Sequence, residues 1–377
     1  MYITKIALQN FRNIKSAELS FDNELNVLVG KNAQGKTNLC EAISVCLGHS
    51  FRRTRFNQYI PADDPDAEVS VRLFFKDDIT ERENVIDYTI RKNTVSVIYN
   101  GIKMKDAAQL YGVLKYVVFI PEHLSLIKGT PDIRRDYLDD VAMMQTQTHL
   151  KKLSRYNKGL KQRNNILQSV TANSNMENIR TMLMPWNEIL AAEGINVTFG
   201  RLKYFNFLKK CAGNIYSELS NGSENLDMNY HSSIYKTDSI NFEDINYLYS
   251  KYMEIMDRHL ESEMRLHYTL AGVHRDDVNF YINNLPAKDY ASQGQLRSAA
   301  LALKLSEAEI IRQKNKTSPV IILDDILSEL DSFRRSFVLQ HIENSQVFIT
   351  CCNLDDLSSL NRGKAWKTEN GTFTEIR

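Results

Sequence analysis

Gly30, Lys31, Asn32, Ala33, Gln34, Gly35, Lys36 and Thr37 run consecutively in the pattern G-x-x-x-x-G-K-T. Glycines at the two ends let the backbone curl until successive N–H groups point at one bound anion. Lys36 adds a point charge suited to β- and γ-phosphate oxygens, and the Thr37 hydroxyl suits Mg²⁺. The apolar run Leu25–Val29 precedes the loop, and a periodic apolar segment beginning at Asn38 follows it. A strand, loop and helix in that order aim the positive helix end at the same phosphates. A glycine turn before an ordinary helix needs neither the lysine nor the flanking strand, so the spacing predicts binding of a nucleoside triphosphate with Mg²⁺.

A second constellation lies far along the chain. Val320, Ile321, Ile322 and Leu323 form a short continuous apolar run, as in a strand buried on both faces of a parallel sheet. Asp324 and Asp325 stand at its carboxyl end, where open α/β sheets bind ligands. Asp324 is the candidate Mg²⁺ holder. Asp325 is the candidate to position or deprotonate an attacking water. Neighbours on a strand alternate sides, so one carboxylate can face the metal and the other the water. An acidic turn capping a helix explains the pair equally well in isolation, but less well beside a matched glycine loop.

Ser292, Gln293, Gly294 and Gln295 open a segment rich in small and apolar residues. Serine is a good N-cap, and a helix N-terminus with a hydroxyl and a glycine N–H is a second anion site. One nucleotide does not need two helix N-termini on opposite sides of its γ-phosphate. Two subunits placed head to tail would use both.

Together these residues resemble the RecF family, within the ABC-type ATPase class that includes the SMC proteins. The likeness runs over nearly the whole chain. It takes in Leu8–Asn13, the glycine loop, Phe119–Glu122, Arg134-Arg135, Leu138-Asp139, His274–Asp277, Ser292–Gln295 and Leu323–Asp331. The chain departs from the family pattern at His123, Val273 and Leu296, none of which is a phosphate or metal ligand. The resemblance implies an α/β fold: an ABC-type head, with a phosphate-loop parallel sheet and an antiparallel β subdomain, carrying a helical insertion. It implies a weak ATPase, stimulated by DNA, that forms a homodimer on ATP. DNA, including single/double-strand junctions, and RecR- and RecO-type mediator proteins are the implied partners. Recombinase loading at gapped DNA or stalled forks is the implied task. By the same resemblance Arg12 lies near the nucleotide and Ser292 touches the γ-phosphate of the other subunit. Ser328, Glu329, Leu330 and Asp331 form the loop at the dimer interface.

These residues need a scaffold, and the pattern of the chain supplies one. Residues 1 to about 130 read as strand-rich, with strict alternation at Val69, Val71, Leu73 and Phe75 and a hairpin signal at Asn100-Gly101. From 131 to 268 amphipathic helices dominate, with Leu153, Tyr156, Leu160 and Leu167 on one face and Leu202, Phe205, Leu208 and Cys211 on another. No sustained heptads predict a long coiled coil. From 269 to 377 the α/β character returns, ending in the strand-like Gln346–Thr350.

Net charge is +1 with 25% charged residues, so any DNA-binding surface requires segregated basic residues. Lys151–Arg163 holds six basic residues and no acid. Lys151, Lys152, Arg155 and Lys158 there, and Arg52, Arg53 and Arg55 elsewhere, are candidate phosphate contacts. A solvated helix face would read the same way. Five cysteines without C-x-x-C spacing argue against a disulfide framework or zinc site, and point to reduced thiols in a cytoplasmic protein. No signal peptide and no 18-residue apolar run is present, so no membrane partner is expected. A transport ATPase subunit is disfavoured by the size of the insertion, and a soluble phosphotransferase has no use for Ser292–Gln295.

Overall fold

Residues 1–48, 55–78, 80–92, 94–171, 174–236, 240–353 and 362–377 are described by the computed structural model. Strands β1 (Tyr2–Phe11), β2 (Ile14–Ser20) and β3 (Leu25–Val29) lead through the glycine loop into helix α1 (Lys36–Cys46). Strands β4 (Val69–Lys76), β5 (Glu83–Arg91), β6 (Thr94–Tyr99), β7 (Ile102–Lys103) and β8 (Tyr116–Phe119) follow. Next come helices α2 (Ser125–Lys128), α3 (Pro131–Gln145), α4 (Gln147–Gln168) and α5 (Met176–Leu219), then strand β9 (Leu226–His231) and helix α6 (Ile245–Leu266). Strands β10 (Asp277–Ile282) and β11 (Leu285–Pro286) precede helices α7 (Ala287–Tyr290) and α8 (Gln293–Asn315). Strand β12 (Val320–Asp324), helix α9 (Ser332–His341) and strands β13 (Val347–Cys351), β14 (Lys364–Glu369) and β15 (Thr372–Glu375) end the chain. The chain forms two compact units, Met1–His123 with Leu301–Arg377, and Leu124–Ala300.

The first unit contains two six-stranded sheets. One runs β15-β14-β3-β13-β12-β8, with β14, β3, β13, β12 and β8 parallel and β15 antiparallel at the edge. Every residue of β12 and β13 is buried, as the apolar run predicts for strands covered on both faces. Their pairing sets Asp324 opposite Thr350, while Cys351 pairs with Val29 just before the glycine loop. The loop, Asp324 and Thr350 therefore share the carboxyl ends of three adjacent strands. The other sheet is antiparallel, in the order β2-β1-β4-β5-β6-β7. Val69, Val71, Leu73 and Phe75 of β4 are buried and their alternate neighbours are not. Asn100 and Gly101 have φ of 49° and 80°, which a tight β6–β7 hairpin requires.

In the second unit, Tyr156 and Leu167 of α4 are buried, and Leu153 and Leu160 pack on the same side as Tyr156. Helix α5 spans 44 residues with Pro185 inside it, longer than the sequence periodicity suggests. A Cβ on Gly159 of α4 would stand 3.0 Å from both Ile189 and Leu190 of α5, so glycine permits this close approach. Strands β10, β11 and β9 form an antiparallel sheet; β10 and β11 fall in the stretch read as α/β, and only β9 falls in the stretch read as helical. The signal of β9 was present, since Leu226, Met228 and Tyr230 alternate, but the strand is short and flanked by helices.

Buried charge organises this unit. Arg163 pairs with Glu263 at 2.6 Å, both side chains fully buried, and also donates to Thr269 and Asn187. Asp139 accepts two hydrogen bonds from Arg201, at 2.8 and 2.7 Å, and lies 2.8 Å from His149 Nε2. Burial alone would raise the Asp139 carboxyl, but Arg201, aided by His149, outweighs it and holds the group at about 2. Of His274–Asp277, Asp276 is fully buried in this interior, His274 and Asp277 are half-buried, and Arg275 is exposed. His274 Nδ1 lies 2.8 Å from Tyr156 Oη, and Arg275 donates to the Thr269 carbonyl. Asp276 accepts from Tyr230 and Ser233, and Asp277 takes a bidentate pair from Arg134. Burial, with repulsion from Arg275, Arg135 and Arg163, lowers His274 to about 4 against an opposing bond to Thr269. The side chains of this segment thus bond to neighbours within the second unit.

Candidate nucleotide-binding site

Helix α1 starts where Gly35, at φ 116°, turns the chain into a left-handed conformation that a side chain rarely tolerates. Ala33 is also left-handed, at φ 63°. Such alternation turns successive N–H groups toward a common point. Asn32, Ala33, Gln34, Gly35, Lys36, Thr37 and Asn38, with Asp325 and Thr350, line a cavity of about 220 Å³. Lys36 is buried, and its amine donates to the carbonyls of Gly30 and Lys31, which fixes it along the loop. Gly30 admits no substituent, because a Cβ there would lie 2.3 Å from the Thr368 carbonyl oxygen of β14.

Asp324 ends β12 and is buried. Its Oδ1 accepts from the Thr37 hydroxyl at 2.9 Å and from the Thr350 hydroxyl at 2.9 Å. Two hard oxygen donors, a threonine hydroxyl and a carboxylate, thus meet where Mg²⁺ beside a triphosphate needs them. The donor set fits that cation. Asp325 departs from the expectation of simple alternation along a strand. The strand stops at Asp324, and Asp325 takes φ 56°, with its N–H donated to Thr350 Oγ1 at 2.9 Å. Ser328 Oγ donates to the Asp325 carbonyl at 2.9 Å. Asp325 reaches the cavity lining through this turn and not through pleating.

Arg12, left-handed at φ 52°, braces the start of α1. Its guanidinium donates to Asn38 Oδ1 at 3.2 Å, pairs with Glu41 at 2.7 Å and lies 5.3 Å above the Tyr59 ring. Three supports escaped the sequence reading. Asn13 Oδ1 accepts from Asn38 at 2.7 Å. At the β14–β15 turn, the Asn370 and Gly371 N–H groups donate to Gln34 Oε1 and Gln34 O, each at 2.8 Å. Cys352 Sγ lies 3.2 Å from Asn32 Oδ1. Of these, only the Asn370-Gly371 pair carries a signal in the sequence, that of a turn.

In the second unit, Ser292 and Gln295 form a reciprocal cap at the start of α8. Gln295 N–H donates to Ser292 Oγ at 3.3 Å, and Ser292 N–H donates to Gln295 Oε1 at 2.8 Å. Gln295 also donates to Glu224 at 2.8 Å, and Glu224 accepts from Tyr216 at 2.6 Å. Ser292 and Gln293 are exposed, and Gly294 and Gln295 half-buried. In the first unit, Ser328 and Glu329 belong to a short turn, Leu330 is buried, and Asp331 caps α9 by accepting from Arg334 N–H at 2.9 Å. Lys151, Arg155 and Lys158 are exposed on α4, and Lys152 and Arg155 each lie 3.4 Å from Glu193. Arg55 is exposed, while Arg52 and Arg53 lie outside the described residues.

The family model described as RecF/RecN/SMC N terminal domain matches residues 2–373. DNA replication and repair protein RecF of Bacillus velezensis is 36% identical over 379 residues, covering 100% of both chains. Its counterpart in Bacillus subtilis is 35% identical with the same coverage. The chain belongs to the RecF family. Among solved structures, the recombination mediator protein RecF-ATP in the RecFOR pathway matches with a TM-score of 0.90 and 31% identity. That match covers 100% of this chain and 98% of the other. The Smc head domain from Pyrococcus furiosus matches at TM-score 0.55 and 17% identity, a likeness of fold. The RecF-family fold that the resemblance implied, an ABC-type α/β head, is the one observed. Among the described residues no helix is long and apolar enough to cross a membrane.

Proposed function

We propose that this chain is an ATP-switched DNA replication and repair protein. ATP drives its homodimerisation on DNA, and slow hydrolysis releases it. The observation that carries the reading is the meeting of the glycine loop, Thr37 and Asp325 around one cavity, with Asp324 hydrogen-bonded to Thr37 beside it. Gly30–Asn38, with Arg12 behind them, bind the triphosphate. Thr37 and Asp324 would hold Mg²⁺, which would supply charge neutralisation to the bound triphosphate. Asp325 positions or deprotonates the attacking water.

Ser292–Gln295 contact the γ-phosphate held by the second subunit. The Ser292 oxygen accepts a backbone N–H and keeps its own O–H for donation, which is the polarity a phosphate needs. Ser328–Asp331 lie at the dimer interface in this reading. Lys151, Lys152, Arg155, Lys158 and the arginines at 52, 53 and 55 meet DNA phosphates, including those at single/double-strand junctions. RecR- and RecO-type mediators are the proposed protein partners, and recombinase loading at gapped DNA or stalled forks the proposed task. The compartment proposed is the cytoplasm.

Sedimentation of the wild type and Lys36→Ala, with ATP or ADP and with or without duplex DNA, tests the reading. The wild type dimerises with ATP only and binds DNA as the dimer, whereas Lys36→Ala stays folded, binds ATP poorly and remains monomeric. A phosphotransferase would stay monomeric in every condition.

A further inference from the structure

Thr350 is not part of any motif in the sequence, yet its hydroxyl links the Asp324 carboxylate to the backbone of Asp325 beside the cavity. It donates to Asp324 Oδ1 at 2.9 Å and accepts the N–H of Asp325 at 2.9 Å. The side chain is buried, lies at the penultimate position of β13 and lines the same cavity as the glycine loop. The register of the parallel sheet sets it directly opposite Asp324.

Each half of this bridge does different work. On the Asp324 side, the carboxylate oxygen that accepts from Thr37 also accepts from Thr350. Two converging donors restrict the carboxylate to one rotation, and Thr350 holds it independently of Thr37. On the Asp325 side, a non-glycine residue at φ 56° is held in a conformation that costs about 1–2 kcal/mol for most side chains. Capture of its N–H by Thr350, and of its carbonyl by Ser328, offsets that cost and fixes where the carboxylate emerges.

We propose that Thr350 is a positioning residue for ATP hydrolysis, its one hydroxyl aiming the metal-side carboxylate of Asp324 and locking the turn that presents Asp325. The proposal rests on the reading of the cavity as an ATPase site. A threonine that merely ended a strand would satisfy the same N–H, but its loss would not discriminate between metal-dependent and metal-free nucleotide binding.

The test is equilibrium binding of a fluorescent ATP analogue, with and without Mg²⁺, together with single-turnover hydrolysis. The proteins are wild type, Thr350→Val, Thr350→Ser, Thr350→Ala and Lys36→Ala. Valine keeps the shape and strand preference of threonine and removes only the hydroxyl. Thr350→Val is expected to bind about tenfold more weakly in Mg²⁺, the scale of one charge-assisted hydrogen bond. Its metal-free affinity should stay within about twofold, because charge on the loop is untouched. Hydrolysis of bound ATP should slow by about tenfold or more, as expected when a general base is misplaced. Thr350→Ser should recover both properties to within about threefold, since the donor and acceptor return.

If valine disturbs folding by thermal melt, the serine–alanine pair carries the same comparison without the γ-methyl group. Equal behaviour of Thr350→Val and wild type would overturn the proposal, as would equal losses with and without Mg²⁺, or serine no better than valine and alanine. A wild type that binds no ATP, or that binds it no better than Lys36→Ala, instead defeats the ATPase reading itself. A normal contrast between those two proteins with no contrast among the Thr350 variants defeats only the role of Thr350.

Discussion

Ser292→Ala separates two roles that one hydroxyl holds. Within the chain, Ser292 Oγ accepts the Gln295 N–H at 3.3 Å, and the reverse bond from Ser292 N–H to Gln295 Oε1 does not involve the hydroxyl. Alanine therefore removes half of the cap. A full N-cap loss typically costs about 1 kcal/mol, so half of a box with a long, exposed bond should cost about 0.5–1 kcal/mol of stability. In the proposed dimer the same hydroxyl donates to a γ-phosphate. Loss of one charge-assisted bond costs about 1.5–3 kcal/mol, or roughly ten- to a hundredfold in the dimerisation constant. The composite site has two copies, so the effect on the dimer is at least this large. Analytical ultracentrifugation with ATP gives the dimerisation constant, and thermal denaturation gives the stability. Ser292→Asp decides between the causes. Aspartate caps as well as serine but repels a phosphate, so it should keep stability and abolish ATP-driven dimerisation. Should Ser292→Asp dimerise like the wild type, or Ser292→Ala lose nothing beyond stability, the γ-phosphate contact in trans is refuted.

Three further outcomes follow from the geometry. Asp325→Asn should lower hydrolysis by about 10²-fold or more while ATP binding survives, because asparagine accepts the left-handed turn but not a proton; the ATP-bound dimer should accumulate, and unchanged single-turnover hydrolysis would remove Asp325 from the chemistry. Gly371→Ala places a Cβ 2.2 Å from the Asn13 carbonyl at φ 76°, whereas Gly101, at φ 80°, has nothing within 4 Å. Gly101→Ala should cost about 1–2 kcal/mol of head stability, and Gly371→Ala more than that together with weaker nucleotide binding; equal melts and affinities for the two would show that the C-terminal turn does not support the loop.

The last concerns pH. His274, lowered to about 4 from an ordinary 6.5, is neutral in the folded insertion and binds its proton more readily when unfolded. Its contribution is therefore fully present above about pH 6.5, and is lost as pH falls through that window toward 4, up to about 3 kcal/mol. Denaturant melts of wild type and His274→Gln between pH 7 and 4 should converge as pH falls; parallel curves would rule the histidine out.

Much of the head was legible in the chain because its signals are local. The glycine loop encodes its conformation in eight consecutive residues, and the burial of β12 and β13 follows from unbroken apolar runs. The cap at Ser292–Gln295 was readable for the same reason, since its partners are three residues apart. The insertion was legible as amphipathic helices, but the unbroken length of α5 was not, because Pro185 and the missing heptads argue locally against continuation and packing against α4 overrides them.

What the tertiary structure alone decided is which distant groups complete each local motif. Gln34 meets Asn370 across 336 positions, and Thr37 meets Asp324 across 287. Thr350 reaches the site through the register of two parallel strands, and the positive φ of Asp325 replaces the pleat alternation that a linear reading assumes. A sequence fixes such backbone geometry only where glycine or proline marks it. Elsewhere a polar side chain finds its partner once the sheet has aligned, and the requirement that every buried polar group be satisfied, rather than any pattern along the chain, selects that partner.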